Sequence, residues 1–560
     1  MPLPLDRFLR YDELTAELHA VAAAHPALVA IESIGQSHEG RELWLVTVTD
    51  TATGAHDTKP AHWIDASIHS VEYTATVAAL SLIEQLVTGF GTDPTVTRAL
   101  QTRTFYIVPR VNPDGAEWGL ADSPRYRRSS VRAWPWPDAH LAPGLHVQDV
   151  DGDGRVLSIR VADPVGPFTT HPDDPRVLIP VPIDGDTGDR PRYRLYDEGR
   201  VEQFDGFTVP TPGSPQRLDL NRNYPAGWGT NIPGSGDYPG SEPEVMALIR
   251  AIRARPNVCG TNHFHTSGGV LLRPSSTKPD SALPPLDVWS WKRLGERMSE
   301  LTGYPVYGLF DDFTWDKNDV MAGAADDWSY EHLGVFSWTT EFWDIVHAAT
   351  GERSSNDTWW LGYSPAQLLA IQRWVDQHHP ELWVDWHPFD HPELGPVEIG
   401  GIDWLHVFVN PPASRLADEV RPHAGAAIAQ ALAAPQLDIG LGQAVHVGGD
   451  VWRVEVGVAN VGWLPTTVSA HAAKEHLVKP IVAELTGDGV EVLAPTHARQ
   501  ELGQLAGLGA FRFDGTGGTP DRLLATWTVR VAGQATATVS VRHERAGAVS
   551  VELPIGHPAR

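Results

Sequence analysis

Two residues with metal-binding side chains, His69 and Glu72, stand three positions apart where an apolar extended segment gives way to a helix. An imidazole nitrogen and a carboxylate oxygen at this spacing can reach one small divalent cation. The same pair also fits an ordinary first helical turn, with Glu72 favoured by the helix dipole and His69 capping or exposed. The spacing alone does not separate these interpretations, so the remaining parts of a site must be sought elsewhere in the chain.

Polar side chains that could serve such a site follow in later segments. The guanidinium groups clustered at 125–128 suit a carboxylate or a developing oxyanion, although a solvated loop that pairs with surplus acids has the same composition. Residues 218–220 alternate apolar and polar side chains, as on a strand with one buried face. Asn221 and Arg222 stand at the end of this segment, where they could hydrogen-bond a ligand carboxylate.

Hydrophobic periodicity predicts the elements that must position these residues. Residues 11–26 repeat apolar side chains as one face of a helix does, and two β-rich segments joined by a turn predict a hairpin. Residues 61–68 form a predicted buried strand that leads into His69, and a helix follows it. This order predicts an α/β fold, with a mixed sheet flanked by helices and a site at the strand ends.

Two changes in composition divide the chain. Residues 134–212 lose regular periodicity and are crowded with Asp, Gly and Pro, which predicts a long insertion within a first domain of residues 1–435. From 436 to 560, alternating segments are separated by Gly-rich turns. They predict a C-terminal all-β sandwich, in which we expect support of packing or folding rather than sugar binding.

An acidic loop in the predicted insertion resembles the first half of a calcium-binding loop. Asp149, Asp151 and Asp153 supply carboxylates at positions 1, 3 and 5, and a glycine occupies position 6. Position 12 is Arg160, where a bidentate Glu is expected. Structural Ca²⁺ and an Asx-rich turn are therefore both open interpretations of this loop.

Bulk composition excludes several classes of function. The formal net charge of −27, without long Lys/Arg tracts, argues against a nucleic-acid partner. No apolar run approaches the length that spans a bilayer, so no membrane partner is expected. The single cysteine, Cys259, permits no intrachain disulfide, and the first residues lack the pattern of a secretory signal. We therefore expect a cytoplasmic protein.

In chain order, these motifs resemble those of the M14 zinc carboxypeptidase family. The similarity covers about residues 8–400 and leaves the β-rich tail outside. The motifs that carry it are His69-Ser70-Val71-Glu72, Asn112-Pro113-Asp114-Gly115, the arginines at 125–128, Asp219-Leu220-Asn221-Arg222-Asn223-Tyr224-Pro225, His265-Thr266, Asp327-Trp328-Ser329-Tyr330 and Thr340-Glu341.

The resemblance implies one Zn²⁺ per chain and a peptide substrate. His69, Glu72 and His265 would bind the metal and leave a fourth position for water, which is the pattern of a catalytic zinc site. Asp219 would accept a hydrogen bond from the first zinc histidine and orient its ring. Glu341 would be the general base.

The resemblance also implies how the substrate is held. Arg127 matches the arginine that stabilises the oxyanion, and Arg125 or Arg128 would replace it if the register differs. Asn221 and Arg222 match the pair that grips the terminal carboxylate, which favours exopeptidase action. Asp326 matches the base of the specificity pocket and implies a preference for C-terminal Lys or Arg, although it could instead cap a helix that begins at Trp328.

Three departures limit how far the family's substrates transfer. Val71 stands where many digestive members carry an arginine, and residues 318–323 lack the mobile tyrosine expected there, for which Tyr307 or Trp315 could substitute. The insertion at 134–212 could narrow the cleft and admit only short peptides. A zinc amidohydrolase that acts on N-acyl amino acids, isopeptides or peptidoglycan fragments is therefore an alternative, as is an inactive binding protein.

Overall fold

The structure is a computed structural model that describes residues 2–135, 143–211, 218–511 and 516–556. Parts of the predicted insertion, at 136–142 and 212, and of the C-terminal domain, at 512–515 and 557–560, lie outside these residues. The helices are α1 (Tyr11–Ala24), α2 (Tyr73–Gly89), α3 (Pro94–Thr102), α4 (Pro113–Gly119), α5 (Pro243–Arg253), α6 (Pro285–Thr302), α7 (Ala325–Leu333), α8 (Ile345–Thr350), α9 (Asn356–Leu361), α10 (Pro365–His378), α11 (Ala413–Ala433) and α12 (Ala470–Lys474).

The strands of the first 410 residues belong to three sheets. They are β1 (Val29–Gln36), β2 (Glu42–Val48), β3 (Ala61–Ala66), β4 (Thr104–Val108), β5 (Gly144–Val147), β6 (Ser158–Ala162), β7 (Phe168–Thr170), β8 (Leu178–Pro180), β9 (Arg192–Asp197), β10 (Gly199–Glu202), β11 (Val258–Thr266), β12 (Val270–Arg273), β13 (Val306–Gly308), β14 (Phe336–Phe342), β15 (Trp383–His391) and β16 (Gly395–Ile402).

A mixed sheet with the order β1-β2-β4-β3-β11-β14-β12-β13 forms the centre of the first domain. Strand β3 runs parallel to β4 and β11, β11 to β14, and β12 to β13, whereas β2 is antiparallel to β1 and β4, and β12 is antiparallel to β14. Apolar side chains of α2 and α11 pack on one face, and those of α5 and α7 pack on the other. The predicted mixed sheet flanked by helices is therefore confirmed.

The three central strands explain why the site forms where it does. Every residue of β3 and of β11 is buried, because helices cover both faces of the sheet. The carboxyl ends of these parallel strands lie at the same edge of the sheet. A polar side chain at that edge does not take the place of an apolar side chain in the interior. His265 near the end of β11 pairs directly with Glu341 near the end of β14.

The predicted insertion contains more regular structure than its sequence indicates. Strands β6, β7, β8 and β9 join β15 and β16 in a six-stranded sheet, and β5 pairs with β10. These inserted strands are three to six residues long, which is too short for an alternating pattern to stand out from the Asp, Gly and Pro around them. His387 and His391 lie within strand β15.

The C-terminal region forms two four-stranded antiparallel sheets that enclose a common apolar core. The strands are β17 (Leu437–Gly448), β18 (Val451–Asn460), β19 (Ile481–Thr486), β20 (Val490–Ala494), β21 (Arg499–Gly503), β22 (Arg522–Val531), β23 (Gln534–His543) and β24 (Gly547–Gly556). Val456, Trp527 and Val539 are fully buried between the sheets. The predicted all-β sandwich is confirmed, and most side chains of its first strand, β17, are exposed.

Within the described ranges, no single helix has both the length and the apolar composition needed to cross a membrane. Helices α2 and α3 meet that criterion only as a pair, across a bend of 100°.

Candidate metal centre and substrate cleft

The three predicted metal ligands converge on one point in the structure. His69 Nδ1 lies 2.8 Å from Glu72 Oε1, and His265 Nδ1 lies 3.0 Å from Glu72 Oε2. The two Nδ1 atoms are 3.2 Å apart. All three side chains are buried, and each offers a ligand atom within 4.8 Å of the others. Residues that are nearly 200 positions apart in sequence therefore form a single cluster.

A tight connection between β3 and α2 brings His69 and Glu72 to the same side. Ser67, the first residue after the strand, adopts a left-handed backbone with φ 56°. Its hydroxyl donates to the Glu72 carbonyl oxygen at 2.9 Å, which closes the turn. The Ser70 amide donates to the Arg128 carbonyl oxygen at 2.8 Å. Backbone contacts therefore fix the turn, and the two ligand side chains remain directed into the site.

Asp219 determines which nitrogen of His69 is available to a metal. Its Oδ1 lies 3.1 Å from His69 Nε2, so Nε2 carries the proton that this hydrogen bond requires. The lone pair of His69 Nδ1 then points at the cluster. Asp219 also accepts from the Asn221 amide at 2.8 Å, at the start of a 3₁₀ turn over Leu220–Arg222.

The charges of the cluster suit a divalent cation. Burial opposes ionisation of Glu72, yet the two histidines hold its pKa well below the ordinary value. Burial likewise opposes the charge on Asp219, but His69 and Arg222 lower its pKa. Two carboxylates therefore stay ionised around imidazole nitrogens that face each other. Two nitrogen donors and one oxygen donor, with room for a further ligand, match the donor set of catalytic zinc.

Glu341 lies beside these donors with an unused carboxylate oxygen. Its Oε2 is buried and has no hydrogen-bond partner within the described part of the chain. Burial raises the pKa of Glu341 to about 8, with a further contribution from the charge of Glu72. A buried carboxyl group that gains and loses a proton near neutrality is suited to general acid–base chemistry.

The three candidate arginines take up different positions. Arg128 lies against the cluster, with Nε 3.4 Å from Asp219 Oδ2 and NH1 3.9 Å from Glu72 Oε1. Arg127 turns instead towards His146, at 3.3 Å, although it also lines the cleft. Arg125 stacks on the Trp118 ring at 4.1 Å. The guanidinium group nearest to the metal donors is therefore that of Arg128, and the oxyanion role of Arg127 stays a prediction.

The predicted carboxylate-binding pair lies on the 3₁₀ turn that follows Asp219. Asn221 Oδ1 accepts from the Ala325 amide at 2.9 Å, which holds the side chain and leaves its amide group as a donor. Arg222 NH1 donates to the Asn221 carbonyl oxygen at 2.8 Å, and Arg222 lines the cleft. Two donors therefore stand together at one side of the metal donors.

Asp326 is buried within the first turn of α7, which begins at Ala325. It accepts hydrogen bonds from the Thr339 hydroxyl at 3.1 Å and from the Asp327 amide. No Lys, Arg or His among the described residues forms an ion pair with it. The alternative that Asp326 caps a helix starting at Trp328 is wrong, because α7 starts three residues earlier.

A cleft of about 640 Å³ borders the cluster through Arg128 and Asp219, whereas His69, Glu72, His265 and Glu341 are not among its lining residues. Its lining includes Arg128, Asp219 and Arg222, together with two exposed tryptophans, Trp360 and Trp404. These tryptophans could not be predicted as cleft residues, because no motif surrounds them. Tyr307 and Trp315, considered as substitutes for the mobile tyrosine, are not among the lining residues.

The contacts of the acidic loop in the insertion are compatible with both a calcium site and an Asx-rich turn. Asp149, Asp151 and Asp153 each offer one oxygen within 4.8 Å of the others. They also accept backbone hydrogen bonds within the loop, as Asx turns do. Arg160, at the position of the expected bidentate ligand, is paired with Glu398 at 2.8 Å. Calcium binding therefore stays a prediction.

Comparison with known proteins gives two family matches. A model described as "Zinc carboxypeptidase" matches residues 14–134 and 194–359, and a domain of unknown function matches residues 436–554. A zinc carboxypeptidase of Saccharothrix mutabilis subsp. capreolus is 31% identical over 22% of this chain and 27% of that protein. Carboxypeptidase A1 of Rattus norvegicus is 31% identical over 60% of this chain and 62% of that protein.

These alignments span between about a quarter and about three fifths of the curated relatives' own length. Among solved structures, thrombin activatable fibrinolysis inhibitor aligns over 76% of this chain and 74% of its own, with 16% identity and a TM-score of 0.42. The family model accounts for just over half of the chain and includes both halves of the His–Glu–His cluster. On that match, the chain belongs to the zinc carboxypeptidase family.

Proposed function

We propose that the protein is a zinc-dependent carboxypeptidase that removes the C-terminal residue of short peptides. The observation that carries this proposal is the buried Oε2 of Glu341, which has no hydrogen-bond partner among the described residues, beside the convergent donors of His69, Glu72 and His265. A protein that only bound peptides would gain nothing from an unsatisfied carboxyl group in this position. The donors would hold Zn²⁺, which, when bound, lowers the pKa of a water molecule towards neutrality and polarises the scissile carbonyl.

Glu341 moves the protons in the proposed reaction. Its carboxylate takes a proton from the attacking water, and the resulting carboxylic acid returns that proton to the leaving amine. Burial raises the pKa of Glu341, which favours its protonated form and suits the return of the proton to the leaving amine.

The arginines hold the two negative groups of the substrate. Arg128 is proposed to stabilise the oxyanion that develops on the scissile carbonyl, since it is the guanidinium group nearest to the donors. Arg222 and the Asn221 amide group are proposed to bind the terminal carboxylate. Binding at both points would direct the enzyme to the last peptide bond.

A preference for C-terminal Lys or Arg is part of the proposal. The support for it is that Asp326 forms no ion pair with a cationic side chain among the described residues, although this buried carboxylate is not among the cleft's lining residues. A net charge of −27 also favours the approach of cationic substrates.

Hydrolysis of N-acetylated dipeptides ending in Lys, Phe or Glu tests the proposal. We expect zinc-dependent release of the C-terminal residue, which a chelator abolishes and added Zn²⁺ restores, with Lys released fastest. Equal rates for Lys and Phe would remove the basic preference alone. Protein that contains no zinc and hydrolyses none of the three would support an inactive, peptide-binding protein instead.

A further inference from the structure

One part of the cleft wall comes from a segment of the chain that the family model does not match. Four apolar lining residues, Leu145, Val147, Val156 and Leu157, lie between positions 135 and 193. The family model skips this segment, since it matches residues 14–134 and 194–359. The insertion therefore adds a surface to the site that the shared fold does not provide.

The position of this wall follows from its contacts with the arginine segment. The Tyr126 amide donates to the Val147 carbonyl oxygen at 3.1 Å, and Arg125 forms a β-bridge with Gln148. Strand β5 thus lies along the chain that leads directly to Arg128. The segment that carries Arg222 contacts residues 129–130 at its start, through Leu218 and Leu220, and residue 323 at its end, where the Tyr224 amide donates to the Gly323 carbonyl oxygen.

These contacts indicate which end of the cleft would hold each part of the substrate. If the terminal carboxylate binds at Arg222, the acyl part of the substrate extends from the metal donors along residues 126–128. The apolar wall lies on that side. Val71, which lies in the turn between the metal ligands His69 and Glu72, also lines the cleft, and its side chain is uncharged. Asp197 is a charged lining residue that the six-stranded sheet adds.

We infer that the inserted segment forms an apolar subsite for the group on the acyl side of the scissile bond. The preferred substrates are then short compounds with a bulky apolar acyl-side group, such as N-acyl amino acids and dipeptides with an aromatic or large aliphatic penultimate residue. A cleft of about 640 Å³ has the size of sites that enclose small-molecule ligands. This inference rests on the proposed carboxypeptidase function and names its substrate class.

Two substrates that differ only on the acyl side test the inference. Acetyl-Phe-Lys and acetyl-Gly-Lys share the leaving residue, and the acetyl cap gives both substrates the same neutral amino end. We expect kcat/KM of the zinc-loaded enzyme to be at least about tenfold higher for acetyl-Phe-Lys, because burial of an aromatic side chain is worth this much or more. A ratio near one overturns the inference.

Variants of Val147 locate the subsite. Val147 is partly exposed at the cleft, so substitutions there need not disturb a core. Val147→Asn makes the wall polar and Val147→Phe fills it, and both should lower the Phe-to-Gly ratio by about tenfold. Val165→Asn is the matched control, because Val165 lies in the same insertion but is 72% exposed and outside the cleft lining.

The results distinguish failure of the proposed carboxypeptidase function from failure of the proposed apolar subsite. No zinc-dependent hydrolysis of either substrate contradicts the proposed function. Hydrolysis of both with equal kcat/KM, or an unchanged ratio in both folded Val147 variants, leaves the carboxypeptidase function standing and contradicts the apolar subsite.

Discussion

His69 and His265 direct their Nδ1 atoms at each other across 3.2 Å, and each approaches a different oxygen of the Glu72 carboxylate. Two imidazole nitrogens at this distance need a shared cation or a proton between them. Because Asp219 already accepts the Nε2 proton of His69, the lone pair on His69 Nδ1 is available to a metal.

Removal of one ligand should abolish stoichiometric zinc binding. We expect about one Zn²⁺ per wild-type chain and less than about a tenth of that in His265→Ala, because two remaining ligands cannot hold the ion tightly. Elemental analysis after dialysis measures this directly. His38→Ala removes an exposed histidine outside the cluster and should keep full occupancy. Full occupancy in His265→Ala would show that the metal binds elsewhere.

Loss of Asp219 should weaken zinc binding without removing a ligand. Without its partner, the His69 ring is free to rotate and to change tautomer, so we expect the affinity for zinc in Asp219→Ala to fall by about 10- to 100-fold. Competition with a chromophoric chelator reports the affinity. Asp237→Ala, which removes a half-exposed carboxylate near Arg132, serves as the control. An unchanged affinity in Asp219→Ala would contradict the orienting role.

Arg128 and Arg127 should differ in their effect on catalysis. Since Arg128 lies nearest to the donors, we expect Arg128→Ala to lower kcat by about 100- to 1,000-fold, as loss of an oxyanion-stabilising donor does. Arg127→Ala should have the smaller effect, because Arg127 turns towards His146. Steady-state kinetics on acetyl-Phe-Lys compares the two. A larger loss of kcat in Arg127→Ala than in Arg128→Ala would contradict this and support Arg127 as the oxyanion-stabilising residue, as the sequence motif implies.

The site residues that could be predicted from the sequence are those that lie within short motifs. His69 and Glu72 share one turn, and Asp219, Asn221 and Arg222 share another, so their spacing carries the information. Trp360, Trp404 and the apolar residues of β5 come together through the fold alone. Their strands and helices are short, and no periodicity distinguishes a cleft-facing residue from a core residue. The choice between Arg127 and Arg128 also depends on side-chain direction, which spacing does not define.

Glu244 should make the stability of the protein depend on pH. Burial at the start of α5 raises the pKa of Glu244 to about 7, from 4.5 as its ordinary value. The folded state thus retains a proton that the unfolded state releases, so this group's contribution to the free energy of unfolding falls as pH rises from about 4.5 to about 7. The loss is roughly 3 kcal/mol at most.

Glu244→Gln removes this dependence, because glutamine stays neutral. We expect the melting temperature of Glu244→Gln to match that of the wild type near pH 4.5 and to exceed it at pH 8. Thermal unfolding across this range measures the difference. A difference that does not change with pH would contradict the proposed titration.

The most direct test of the account is the activity of Glu341→Gln with zinc still bound. Glutamine has almost the same shape as glutamate but cannot take a proton from water. With about one Zn²⁺ per chain confirmed by elemental analysis, we predict that kcat on acetyl-Phe-Lys falls by at least about 100-fold and up to about 10,000-fold. Zinc-loaded Glu341→Gln that retains the wild-type kcat would contradict the proposed mechanism.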